Sequence, residues 1–265
     1  MSGKSKSRYG LLRYQQALAT YDRALIARAE DWELWYDRGR LLAHLHRLDE
    51  AVASFRHSIA LDPHRAKVWV SLGQLLMCQQ KDIAALAQFD QALALSPQAA
   101  LVWVYKGFAL SRSGQYRAAL NCFDRAIDLA PKLNEAWHHR GLMLMKLRRY
   151  TEGYESFRTA LQCQAYDYKG WLCLGWALEK LGDYGLAVEA YNKSLGIEPD
   201  QSFAFYRQAR CYALLQDPDS AMEHLRRAIA LNPKHYQQRV LVDPVLKGIQ
   251  AEALSVEASA VALAS

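Results

Sequence analysis

The sequence predicts an all-α solenoid of antiparallel helix pairs stacked in 34-residue repeats. Three observations predict it. Trp35, Trp69, Trp103, Trp137 and Trp171 stand 34 residues apart, with Phe205 in the sixth place. Gly39, Gly73, Gly107, Gly141 and Gly175 each follow a Trp by four, and Ala209 closes that series. Pro63, Pro97, Pro131, Pro199 and Pro233 keep the same register, with Ala165 at the one missing beat. A fixed period of this length marks a chain in which each unit is one supersecondary element leaning on its neighbours.

The units run 32–65, 66–99, 100–133, 134–167, 168–201 and 202–235 without insertion. Positions are numbered 1 to 34 within each. Helix A is expected over about positions 1–14 and helix B over about 18–31, each about 20 Å long at 1.5 Å per residue. In helix B a small residue recurs at Ala51, Ala85, Ala119, Gly153, Ala187 and Ala221, followed four later by Phe55, Phe89, Phe123, Phe157, Tyr191 and Leu225. Three further on comes a small residue again: Ser58, Ala92, Ala126, Ala160, Ser194 and Ala228. Residues three or four apart share one helix face, so this is a small–large–small seam between two helices. Proline then ends helix B, because it lacks an N–H and disfavours helix in the residue before it.

Terminal repeats need caps, since each would otherwise expose an apolar face. Residues 14–31 carry Ala17, Tyr21 and Ala24 in the register of a lone B helix, an N-terminal half-repeat cap. Residues 1–13 read as a basic, flexible tail, residues 236–250 as a capping helix broken at Asp243-Pro244, and residues 251–265 as a disordered tail.

The W-x₂-L-G…A-x₃-F…P pattern, clearest at Trp69, Leu72, Gly73, Ala85, Phe89 and Pro97, resembles the tetratricopeptide repeat, and more closely the multi-repeat proteins of that family in bacteria. The resemblance covers about three-quarters of the chain. It implies a right-handed superhelix whose A helices line a concave wall used to hold peptides.

Composition excludes several other classes. Of 265 residues, 51% are hydrophobic and 23% charged, too apolar for a disordered chain. No apolar run reaches the length of a membrane span, and no secretory leader is evident. Five cysteines without a CxxC pair suit a reducing cytoplasm. The net charge of +6 is mild, and Lys4, Lys6 and Arg8 supply half of it, so no stripe for nucleic acid is expected. No phosphate loop or nucleophile elbow occurs, so no enzyme, cofactor or small-molecule substrate is expected. His139 and Cys173 share position 6 in neighbouring units, but two ligands do not make a zinc site, and no metal is expected.

The expected function is therefore a non-enzymatic scaffold or adaptor that binds a peptide or helix with apolar anchors. The groove residues read from positions 5, 9 and 12 are Tyr36, Arg40, Val70, Met77, Val104, Phe108, Leu142, Met145, Leu172, Trp176, Tyr206 and Arg210. Phe108, Leu142 and Trp176 are the expected centre, flanked by Tyr36, Tyr206 and the two arginines. Aromatic and Met side chains suit such a wall because they bring large, adaptable contact area.

The family's chaperone-tail clamp needs Lys at position 5, Asn at position 9 and Asn at position 6 of the next unit. Tyr36, Arg40 and Ser71 stand there instead, so that scheme is not expected. Its asparagine ladder at position 6 is missing too, with Asp37, Ser71, Tyr105, His139, Cys173 and Arg207 in its place. Two alternatives stay open. One is an assembly or anchoring factor held weakly at a membrane by Lys4, Lys6 and Arg8, which vesicle co-sedimentation without residues 1–13 distinguishes. The other is self-association, with a second copy or the C-terminal tail filling the groove.

Overall fold

The computed structural model describes residues 3–249, with side chains from Arg13 onward. Among these residues are fourteen α-helices, one 3-10 turn and no strand. The chain divides after Pro131 into two compact units. The first contains α1 (Gly3–Ala27), α2 (Trp32–His44), α3 (Leu48–Leu61), α4 (Ala66–Cys78), α5 (Asp82–Leu95), α6 (Ala100–Arg112) and α7 (Tyr116–Leu129). The second contains α8 (Asn134–Lys146), α9 (Tyr150–Cys163), α10 (Tyr168–Leu181), α11 (Tyr184–Ile197), α12 (Ser202–Leu214), α13 (Pro218–Leu231), α14 (Pro233–Val242) and the turn Pro244–Leu246. Within each unit every even-numbered A helix pairs with the B helix that follows it, and the pairs stack in chain order.

The interior of each of the first five pairs is a ring set against a glycine. Phe55, Phe89, Phe123, Phe157 and Tyr191 are all buried. A β-carbon on the facing Gly39, Gly73, Gly107, Gly141 or Gly175 would lie 2.6–2.8 Å from the nearest ring carbon, well inside van der Waals contact. The sixth pair solves the same problem differently: Ala209 has a β-carbon, and its partner Leu225 is smaller than a ring.

The periodic tryptophans have a second task. They are half-buried. Trp35, Trp69, Trp103 and Trp171 donate their indole N–H to the main-chain carbonyls of Ala29, Pro63, Pro97 and Ala165, at 2.7–3.0 Å. The acceptor belongs to the backbone, so the bond survives the loss of proline at Ala165. Ser58 and Ser194 similarly donate to the carbonyls of Trp32 and Tyr168, which satisfies hydroxyls placed in the small position of the seam.

Polar contacts also link successive pairs. Arg38 meets Asp22 and Lys106 meets Asp90, both across 16 residues of sequence. The tight A–B turns each need one residue with positive φ. Gly114 and Gly182 supply it freely, while His46, Gln80, Arg148 and Gln216 adopt it at φ 57–61°.

Both ends of the described chain are helical, and the C-terminal one breaks at Asp243-Pro244. Residues 3–13, read as a flexible tail, are the first turns of α1. They contain no proline, and Lys and Arg are good helix formers, so the helix that Leu18 and Leu25 anchor runs on through them. At the other end α14 begins at Pro233 itself, because proline is favoured at the first helical position. Residues 251–265, read as a disordered tail, lie outside the described residues.

Candidate functional site

In the first unit Tyr36, Val70, Met77 and Phe108 are half-buried and Arg40 is exposed, on α2, α4 and α6. The inner edges of Tyr36 and Phe108 touch the buried rings, with centroids 5.9 Å from Phe55 and 5.7 Å from Phe123. The outer face of Tyr36 carries cations, Arg40 at 5.6 Å and Lys67 at 4.8 Å. Arg40 lines a cleft of about 220 Å³ between α2 and α4, together with Ala43, His44, Ser71, Gln74 and Cys78. Its floor, Phe55 and Leu75, is apolar, and its polar rim lets a main-chain amide or carbonyl find a partner.

Val104 is fully buried, so its short side chain offers nothing to a ligand and it leaves the set of accessible groove residues.

In the second unit Leu142, Leu172 and Trp176 are half-buried on α8 and α10, packed against the core from its solvent side. Phe108 therefore belongs to one unit and Leu142 and Trp176 to the other. Met145 is buried, because the missing β-carbon of Gly153 leaves a gap that its thioether fills, with Sδ 3.2 Å from where that carbon would stand. Tyr206 is buried too, covered by Tyr236 at 5.0 Å between centroids and by Asp243, which accepts its hydroxyl proton.

Arg210 is also not a free groove cation. Its guanidinium donates to Asp243, and its Nε lies 3.3 Å from the Glu179 carboxylate. Glu179 is buried and receives Arg207 at 3.1 Å as well. The result is a chain of alternating charges, Arg207–Glu179–Arg210–Asp243, on α10, α12 and the residue ending α14. Burial works against the charge on Arg210, but the bond and proximity to Asp243, then Glu179, hold its pKa above the ordinary range. Burial likewise opposes the Asp243 carboxylate, and bonds from Tyr206, Arg210 and the Val245 N–H hold its pKa below the usual value.

Arg207, at position 6, was not among the expected groove residues, yet it lies over both Trp176 (5.9 Å) and Phe203 (4.9 Å). The signal was present: an acid at position 12, where the other units carry Ala, Met or Ser, with two arginines 28 and 31 residues later.

Two cysteine thiols of the second unit are kept neutral. Burial raises the thiols of Cys173 and Cys211 to about 12, far from a reactive thiolate. Among the described residues no group of three or more His, Cys, Asp or Glu gathers for a metal. No described helix is long and apolar enough to cross a membrane.

His138 and His139 stand with ring centroids 5.2 Å apart. Burial, then proximity to His138, lowers His139 from 6.5 to about 4. The unfolded chain therefore binds the proton first. The stabilising contribution is fully present above pH 6.5 and drains as pH falls towards 4. The unfolding free energy from urea titration is expected to drop between pH 7 and pH 5, by about 2 kcal/mol for His139 at 1.36 kcal/mol per pKa unit. His139→Gln should flatten that slope; an unchanged slope would show that His139 does not titrate on unfolding.

Models of the tetratricopeptide repeat match residues 12–70, 106–169, 168–201 and 202–235, together well over half of the chain. No curated protein matches it. Among solved structures, YrrB, described as a TPR protein with an unusual peptide-binding site, shares 23% identity over 68% of this chain and 93% of its own, with a TM-score of 0.61. PilF of Pseudomonas aeruginosa shares 18% over 85% of this chain and 99% of its own, with a TM-score of 0.68. The C-terminal part of a TPR repeat-containing protein from Cytophaga hutchinsonii shares 17% over 84% and 92%, with a TM-score of 0.70. These likenesses are likenesses of fold.

Proposed function

The chain belongs to the tetratricopeptide-repeat family, and we propose that it is a non-enzymatic scaffold that holds a partner peptide or helix on its A helices. The observation that carries this reading is the set of half-exposed apolar side chains at positions 5 and 9, Phe108 in the first unit and Leu142, Leu172 and Trp176 in the second. Each rests on the core without filling it and presents an apolar face, the kind of surface that marks a protein contact. The peptide-binding site of YrrB shows that the same fold can serve this purpose. The partner is expected to bring apolar anchors rather than phosphates, since Arg207 and Arg210 are already neutralised by Glu179 and Asp243. We place the protein in the cytoplasm, any contact with an anionic membrane being made through the first turns of α1.

Phe108→Glu and Trp176→Glu should each reduce retention of a native partner from lysate at least ten-fold, with the far-ultraviolet circular dichroism unchanged. Equal retention by wild type and both variants would move the contact off these faces.

A further inference from the structure

The chain's last described residues lie where a ligand of the sixth repeat would lie. After α14 ends, Asp243 turns the chain onto the side of α12 that carries positions 5, 9 and 12. Its carboxylate accepts from Tyr206 Oη at position 5 and from Arg210 at position 9, and its other oxygen accepts from the Val245 N–H at 3.1 Å. The single 3-10 turn Pro244–Leu246 then drives Leu246, fully buried, into the apolar cluster of α12 and α13. Ile249 follows, half-buried, beside Ala213 at position 12. A cleft of about 370 Å³ remains open alongside, lined by Ala213, Gln216, Pro218 and Ile249.

We propose that Asp243–Ile249 is an intramolecular pseudo-ligand: a latch that occupies this face of α12 and yields it to a partner peptide of the same chemistry. That chemistry is a carboxylate at the head of a tight turn, followed by apolar residues three and six positions later. The inference deepens the scaffold reading, resting on it for the identity of the competitor. Three features distinguish a latch from a simple cap. The segment has one turn of regular structure, and its main-chain bonds run back to α14, from Asp243 to Val240, or within itself, from Leu246 to Asp243 and from Ile249 to Leu246. Its charged anchor is one carboxylate shared by two groups of α12. An open cleft borders it, whereas α14 already covers the end of the array through Tyr236 and Val240.

The test uses the full chain and a labelled peptide of residues 241–249. Wild type should bind the peptide weakly, because its own segment is in place. The Asp243→Asn chain should bind it at least ten-fold more tightly, and adding Arg210→Gln should remove that gain. Equal binding by wild type and Asp243→Asn, or no binding by a variant with native circular dichroism, overturns the proposal. Hydrogen exchange on the unmodified chain gives an answer that needs no variant to fold. The Leu246 and Ile249 amides should exchange by local opening, at least a hundred-fold faster than the interior of α12 and α13, and exchange at the same rate as those helices would make the segment a permanent cap. Equal retention of a partner by wild type, Phe108→Glu and Trp176→Glu, with successful peptide capture, would move the apolar contact off those faces and leave the latch standing, whereas loss of retention by the variants with no peptide capture would remove the latch alone.

Discussion

Phe123→Ala is expected to destabilise the first unit by about 3–5 kcal/mol, the cost of truncating a fully buried aromatic side chain. The more informative experiment adds Gly107→Ala. Alone, that methyl would stand 2.7 Å from the Phe123 ring and should cost about 1–3 kcal/mol by overpacking. Combined with Phe123→Leu it should cost less than the two single changes added together, because the pair then matches Ala209 and Leu225 of the sixth repeat. Denaturant titration of the two single variants and the double variant measures this coupling directly. Additive costs would mean that the ring and the glycine do not constrain one another, contrary to the packing described.

Glu179→Gln should have the second large effect, about 3–5 kcal/mol in the second unit, because at a nearly fully buried site it takes the carboxylate from Arg207 and leaves Arg210 with Asp243 alone. The geometry makes the penalty specific to breaking the network. Arg47 and Glu50 pair at 2.6 Å, but both are solvent-exposed, so Glu50→Gln should leave the unfolding midpoint where it is. If Glu179→Gln proved as silent as Glu50→Gln, the alternating chain of charges would contribute nothing to stability.

The two predictions mark how far the residues could be read in advance. The helix-pair repeat was legible because its determinants recur: each Trp, Gly and ring sits in a fixed place, and six copies average out local accidents. The family followed from the same positions. The accessible wall was legible only in part. Positions 5 and 9 led to half-exposed apolar side chains at Phe108, Leu142, Leu172 and Trp176, and also to Val104, which the helix pairs bury completely. The reading failed at Met145, taken from position 12, because one absent β-carbon at Gly153 drew the thioether inward. It failed at Tyr206 and Arg210 because a segment about 35 residues further on folds back over them. Periodicity describes what every repeat does, and these three residues depend on what only one repeat, or the chain end, does.

The indole bonds have a practical consequence. Each of Trp35, Trp69, Trp103 and Trp171 keeps one ring partly in water and ties its N–H to the turn just before its own helix. Loosening of any one junction therefore changes the polarity around a single fluorophore. Variants that keep one of these four tryptophans, with Phe at the other six of the chain, would report the melting of the array junction by junction, so the order in which repeats separate is written into the emission of the protein itself.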